Sequence, residues 1–309
     1  MSYSPTSLLH DGPLQVASTR HEEMMVEARR IVDAGNDRGL VLRLTGGLAV
    51  RHYSIDLEFA EREYSDIDLV GLARQSREID ELFGDLGYEE NTSVATATLS
   101  SQRQYLKRLH NVESNAHMHK RAHFAPSVLG PPPLDHVDVF LDWIKMDHAI
   151  DLRDRLDINT YAIDPADLFL SKLQIQKLNE KDAHDVVTLC KDVYVDFEPH
   201  PGVLDLEHVA DSCARDWGLY VDVMTNIDTV LEHLADYDLS PREVARIGRS
   251  LELAQDMMTE HTKSLRWRLR AHVGKRLRWY NEIEGQFAGR SDDDVIGMRG
   301  EAGGAGEAG

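Results

Sequence analysis

Ser65-Asp66-Ile67-Asp68-Leu69-Val70 alternates polar and apolar side chains, and how it is read decides the fold of the whole chain. Successive side chains of a strand point to opposite faces. Asp66 and Asp68 therefore project together from one face, while Ile67 and Leu69 turn to the other. Two carboxylates held a few ångströms apart are costly without a cation. Mg²⁺ takes oxygen ligands and is commonly held by one or two carboxylates plus phosphate oxygens, which makes this strand a candidate metal site. Alone, an Asp-x-Asp pair is more simply a solvated strand end.

The residues upstream change that balance. Leu40 to Leu44 reads as a strand, Thr45-Gly46-Gly47 as its end, and Leu48 to Tyr53 as a short helix. Paired glycines between a strand and a helix let backbone N–H groups approach a phosphate with no Cβ in the way, and the helix start adds partial positive charge. Downstream, His136-Val137-Asp138-Val139-Phe140-Leu141-Asp142 is a second acidic strand, with Asp138, Phe140 and Asp142 on one face. Asp138 is the preferred third carboxylate, with Asp135 and Asp142 as alternatives. The plainer reading is an edge strand with its polar face in water.

Beyond Asp164 the strand signal gives way to helical periodicity. Asp164 is a candidate N-cap with Pro165 at the first helical position. Helices are expected over 165–180, 182–194, 205–216 and 220–236, and a long last one from Ser240-Pro241 to about 284. A first helix is expected from a Ser18-Thr19/Glu22 capping box to about Ala34, with Met25, Ala28, Ile31 and Val32 buried. Another helix is expected over Ser76–Leu86, and weak strands around Gln104–Leu106 and His117–His119. The expected fold class is α+β: a mixed sheet with flanking helices over 18–160, a helical domain over 161–288, and a disordered tail over 289–309.

The order Gly-Gly, then Ser-Asp-Ile-Asp-Leu, then Val-Asp-Val resembles the superfamily of DNA polymerase β, the CCA-adding enzymes and the antibiotic nucleotidyltransferases. Leu168-Phe169-Leu170-Ser171-Lys172-Leu173 followed by Lys181-Asp182-Ala183-His184-Asp185-Val186 is similar to the helical motif of its AbiEii-type toxin branch. The likeness spans roughly residues 42–189. It implies that Gly46, Gly47 and Ser65 meet the nucleotide, that Asp66, Asp68 and Asp138 hold two Mg²⁺ ions, and that Lys172 contacts phosphate. Asp182 and Asp185 would orient Lys172 or the nucleotide. The implied reaction transfers a nucleoside monophosphate from a nucleoside triphosphate to a hydroxyl, with an RNA end such as tRNA as acceptor and an antitoxin as protein partner. Two departures stand out: 18 residues separate Gly47 from Asp66, and Val186 replaces the commoner Leu. Without the family, Lys172, Gln176 and Asn179 share one side of an expected helix, and Lys181 with Asp185 reads as an ordinary i,i+4 ion pair.

Composition narrows the partners. The chain has 309 residues, a formal net charge of -20 and only two cysteines, Cys190 and Cys213, read as buried free thiols. Such acidity repels nucleic acid over most of the surface. A small-molecule or protein hydroxyl is therefore the alternative acceptor, and a catalytically silent binding module the third reading. Residues 263–280 carry seven Lys or Arg and no acid, interleaved with Trp267, Trp279 and Tyr280. They suit RNA by phosphate contact and stacking, or else arginine stems laid over a core and paired with acids. Lys107, Arg108, Lys120 and Arg121 form a second basic region. No apolar run reaches membrane-spanning length, so a cytoplasmic protein is expected.

Overall fold

The computed structural model describes residues 20–98, 101–107, 136–197 and 200–281. The N-terminal arm, Ser18-Thr19, His117–His119, the basic residues Arg108, Lys120 and Arg121, Asp135 and the 289–309 tail lie outside the described residues.

Helix α1 (Arg20–Asp37) buries Met24, Ala28, Ile31 and Val32, and leads through a turn at Gly39 into β1 (Leu42–Thr45). It runs past the expected end at Ala34 and through Gly35, which packs without a side chain against Leu42. Met25 is less deeply buried than Met24, a shift of one position in the stripe. Helix α2 (Gly46–Tyr53) starts at the glycines themselves. There follow β2 (Ile67–Gly71), α3 (Ser76–Asp85), β3 (Tyr88–Glu90), α4 (Thr92–Ala97), β4 (Gln102–Lys107) and β5 (His136–Leu141).

The five strands form one mixed sheet in the order β1-β2-β5-β4-β3. Strands β2 and β5 are parallel neighbours at its centre, which places Asp68 directly beside Asp138. Antiparallel β1 sets Thr45 beside Asp68, and antiparallel β4 sets Gln104 beside Asp138. The central strands bury nearly all their apolar residues, as strands covered on both faces must. The β5 strand is thus interior, and not the solvated edge that its acids also allowed.

A hairpin of β6 (Trp143–Lys145) and β7 (Ala149–Asp151), which the sequence pattern did not announce, precedes the helices. These are α5 (Pro165–Leu173), α6 (Glu180–Asp192), α7 (Leu206–Arg215), α8 (Trp217–His233), α9 (Pro241–Glu260) and α10 (Leu265–Val273), with a small parallel pair, β8 (Val195–Asp196) and β9 (Leu204–Asp205). Apolar residues from Met24 to Met258 form one continuous core. The class is α+β, and among the described residues no helix is long and apolar enough to cross a membrane.

Two helices are shorter than their periodicity suggested. Helix α5 stops at Leu173, so Gln176 and Asn179 do not share a face with Lys172, and Asn179 instead caps α6. The long last helix breaks between Glu260 and Leu265: Lys263 Nζ turns back onto the Met258 and His261 carbonyls, and Ser264 caps a new helix. Ile247, Leu251, Ala254 and Met258 are buried as expected, but Leu265, Leu269 and Leu277 are exposed.

Behind the sheet, Asp164 caps α5 through Ala166 N and meets Arg155 Nη2 at 3.2 Å, while Arg155 Nε and His208 hold Asp167. Burial and the charge of Asp167 push the Asp164 carboxyl up to about 6. A folded-state value above the unfolded one makes folding bind a proton between about pH 4 and 6, so this residue's contribution to stability falls as pH rises through that window. Asp164→Asn keeps an N-cap acceptor and removes the charge. Its stability advantage over the parent is expected to grow by on the order of 2–3 kcal/mol between pH 4 and 7 in denaturant titrations; an advantage constant across that range contradicts the assignment.

Candidate functional site

Asp68 sits in the middle of β2 with its carboxylate against the backbone of Gly46. A Cβ at Gly46 would fall on Asp68 Oδ2 and stand 3.2 Å from Cγ. Gly46 also has a φ of +66°, a left-handed conformation that favours glycine. The second glycine is required by a different neighbour: a Cβ at Gly47 would collide with Arg62 Nη2 and lie 2.8 Å from its Cζ. Both glycines thus make room for charged side chains at the start of α2. Thr45, the N-cap, makes no side-chain cap hydrogen bond, so no side chain there competes for the helix's first N–H groups.

Asp66 lies just before β2 and accepts a hydrogen bond from Ser65 Oγ at 2.7 Å. His136 Nε2 stands 3.4 Å from Asp66 Oδ2 and 3.7 Å from Asp138 Oδ2, and Gln104 Nε2 donates to Asp138 Oδ1 at 3.0 Å. Ligand atoms of Asp66, His136 and Asp138 all lie within 4.8 Å of one another. Burial and the charges of Asp66 and Asp138 raise the Asp68 pKa well above the usual carboxylate range. Asp138 is raised too, by burial and by Asp66. Burial also acts against Asp66, but hydrogen bonds from His136 and Ser65 outweigh it and hold its pKa down. The bond to Asp66 raises the His136 pKa against burial, aided by the charge of Asp138. Three carboxylates with only a histidine beside them leave the cluster short of positive charge, which a bound metal ion would supply. The close set is thus two carboxylates and an imidazole, with the Asp68 carboxylate beside Asp138 on the next strand; the three carboxylates supply the oxygen ligands that Mg²⁺ takes.

A second charged cluster faces the first. Lys172 Nζ, on α5, lies 2.9 Å from Asp182 Oδ1 and 2.7 Å from Asp185 Oδ2, both on α6. Asn179 fixes Asp182 by donating to Oδ2 and accepting from its backbone N–H, each at 2.8 Å. Asp185, 98% shielded, also receives a two-pronged contact from Arg62, with Nε at 2.9 Å and Nη2 at 2.8 Å. Burial opposes charge on Lys172, but the two aspartates outweigh it and raise its pKa. The same cations hold Asp185 low. Asp185 therefore pairs across helices and not with Lys181 in its own helix.

A cavity of about 720 Å³ opens between the clusters. Gly46, Gly47, Ser65, Asp66, Asp68, Lys172 and Asp182 line it, with Arg62 and Tyr64 at one side and His184 and Tyr237 at another. Asp138 and Asp185 are not among the lining residues; a carboxylate oxygen of Asp138 lies within 4.8 Å of one of Asp66, and Asp185 bonds Lys172 and Arg62. Phe59 stacks on His184 with ring centres 5.0 Å apart, backing that aromatic wall. Asp142 is not part of the site: it adopts a φ of 66° after β5 and accepts a hydrogen bond from Ala73 N at 2.9 Å.

Sequence reasoning missed His136 and Arg62. His136 is two residues before Asp138 in the same strand, so the alternation that selected Asp138 selects it as well. Arg62 lies in the irregular spacer and leaves no periodic signal. In the basic 263–280 segment the expected pairing with acids is absent among the described residues for Arg266, Lys275 and Arg276. Arg268 and Arg270 bond backbone carbonyls instead.

No protein-family model matches the chain, and no curated protein matches it. Among solved structures, the solution structure of the antibiotic-resistance factor ANT(2'')-Ia aligns over 81% of this chain and 96% of its own, at 9% identity and a TM-score of 0.29. A likeness that slight transfers neither activity nor residues.

Proposed function

We propose that this chain is a Mg²⁺-dependent nucleotidyltransferase that moves a nucleoside monophosphate from a nucleoside triphosphate to a hydroxyl acceptor. The observation that carries the reading is the row across the sheet: Asp68 beside Asp138 on parallel strands, with the Gly46 helix start against the Asp68 carboxylate. Asp66, Asp68 and Asp138 would hold the magnesium ions. Bound there, magnesium supplies Lewis-acid activation of the acceptor hydroxyl and neutralises charge on the triphosphate.

The protein's own groups do the rest. Backbone N–H groups at Gly46 and Gly47 receive phosphate oxygens at the positive end of α2. Lys172, held by Asp182 and Asp185, keeps its charge and reaches phosphate from the opposite wall. Ser65 steadies Asp66, and His184 with Tyr237 offers an aromatic wall to a base. Residues 18–160 are the catalytic core in this reading, and 161–288 a helical domain that closes the cavity.

We read the acceptor as an RNA end, in keeping with the AbiEii-type motif. The exposed cations Lys275 and Arg276 and the ring of Trp279 lead to Asn281, which bonds the Met146 and Asp147 carbonyls of the β6–β7 turn, and Met146 lines the cavity. Incubation with each labelled nucleoside triphosphate and Mg²⁺, with bulk tRNA or without added acceptor, tests the proposal. Label in RNA is the expected result and matches a toxin-like enzyme. Label in protein or a small product keeps the transferase and replaces the acceptor, in keeping with the net charge of -20. Absence of label under every condition overturns the transferase and leaves a binding module.

A further inference from the structure

We infer that Arg62 is a phosphate-binding residue of this cavity, seated against Gly47 by Asp185 and Tyr64 so that its free N–H groups meet a polyphosphate. The inference deepens the nucleotide-binding reading above and rests on it for the identity of the natural ligand.

Three observations converge on this residue. The guanidinium occupies the space a side chain at position 47 would take, so a fixed positive group and the positive end of α2 meet at one point of the cavity wall. Two such groups repel unless anions join them. Asp185 supplies one anion from the protein side, and the cavity side is open to another.

Donor accounting gives the second. A guanidinium has five N–H donors. Nε and Nη2 each give one to Asp185, and Nη1 gives one to the Glu63 carbonyl at 2.7 Å. Two N–H groups remain among the described contacts, one on each terminal nitrogen. A phosphate takes such a pair as two charge-assisted hydrogen bonds.

The third is rigidity. The Arg62 Cζ lies 4.5 Å from the centre of the Tyr64 ring, and the fork to Asp185 is largely shielded from water, with the arginine side chain 17% exposed and the aspartate 3%. Little side-chain entropy remains to be lost when a ligand binds. Local charge also balances: Lys172 and Arg62 offset Asp182 and Asp185, so these carboxylates do not repel an arriving anion.

The ligand class is a polyphosphate, in the cell the triphosphate of a nucleotide. Calorimetric titration of the full chain with magnesium tripolyphosphate tests this without requiring any transfer reaction. Arg62→Met is expected to weaken binding by about 100-fold, and Arg62→Lys, which keeps the charge but not the fork, by about 10-fold. Thermal melts identify any variant that fails to fold. Should Arg62→Met unfold because Asp185 loses a partner, Arg62→Lys decides alone. Parental affinity in a folded Arg62→Lys and Arg62→Met pair overturns the inference and leaves Arg62 a structural partner of Asp185. So does a parent chain that binds no tripolyphosphate. A parent that binds it through Arg62 yet transfers no nucleotide upholds this inference while the transferase reading fails.

Discussion

Asp68→Asn is expected to fold, to melt at a higher temperature than the parent in magnesium-free buffer, and to lose nucleotidyl transfer by at least about 10³-fold. The two effects have one origin. Asp68 is flanked by Asp66 and Asp138, and its pKa is raised well above the usual range by burial and by those two charges. A carboxylate whose folded pKa lies above its unfolded one destabilises the fold at every pH where it is ionised. The amide is close in shape to the protonated acid, so the substitution removes the repulsion while retaining the packing against Gly46. Transfer is lost because a neutral amide neither holds Mg²⁺ as a carboxylate does nor shares its charge. Added Mg²⁺ should raise the melting temperature of the parent, since a ligand that binds only the folded state stabilises it by mass action, and should barely move that of the variant. Asp66→Asn gives the opposite sign of stability. Asp66 is held below the usual range by His136 and Ser65, so its charge favours the fold near neutral pH and the variant melts lower. Full transfer by Asp68→Asn, or a parental response to Mg²⁺, contradicts the metal assignment.

What could be read from residues alone follows from the range of the forces involved. Alternation at 66–70 and 136–142 located both central strands, because a side chain's face in a strand depends only on its own position. The same local rule put Asp66, Asp68 and Asp138 on usable faces, and the glycine pair marked the turn. Pairing between distant segments was not available to it. That β2 and β5 are parallel neighbours, in the register that sets Asp68 beside Asp138 with β4 on the other edge of β5, is a pairing between segments about 70 residues apart that a local rule does not reach. Arg62 illustrates the same limit. The partners that single it out are distant in sequence, Asp185 at a separation of 123 and Gly47. The long last helix failed for a related reason: apolar residues at helical spacing continue past Met258, but among the described residues nothing buries Leu265 and Leu269. Periodicity reports a helix's potential face and not whether anything covers it.

Gly46→Ala and Gly47→Ala, one residue apart, are expected to fail in different ways. At position 46 alanine meets two obstacles: a φ of +66°, costing about 1–2 kcal/mol for an L-residue, and a collision with Asp68 Oδ2. Asp68 has little room to retreat, since β2 is paired on both edges by β1 and β5. The protein should lose about 2–4 kcal/mol of stability, and transfer should fall by at least about 100-fold because the carboxylate is displaced from its neighbours. At position 47 the collision is with the end of the Arg62 side chain, with Tyr64 Cε1 also 3.1 Å away, and the backbone lies outside the left-handed region. Arg62 can leave by giving up Asp185, which Lys172 still neutralises. Gly47→Ala should therefore fold with a loss of about 2–3 kcal/mol, from breaking the shielded fork to Asp185, and raise the KM for nucleotide about as much as removing Arg62 does. A double-mutant cycle separates the two reasons a glycine is needed there. If Gly47 is small to seat the guanidinium, adding Gly47→Ala to Arg62→Met leaves KM unchanged. A further rise in KM in that background shows instead that the phosphate itself needs the bare backbone.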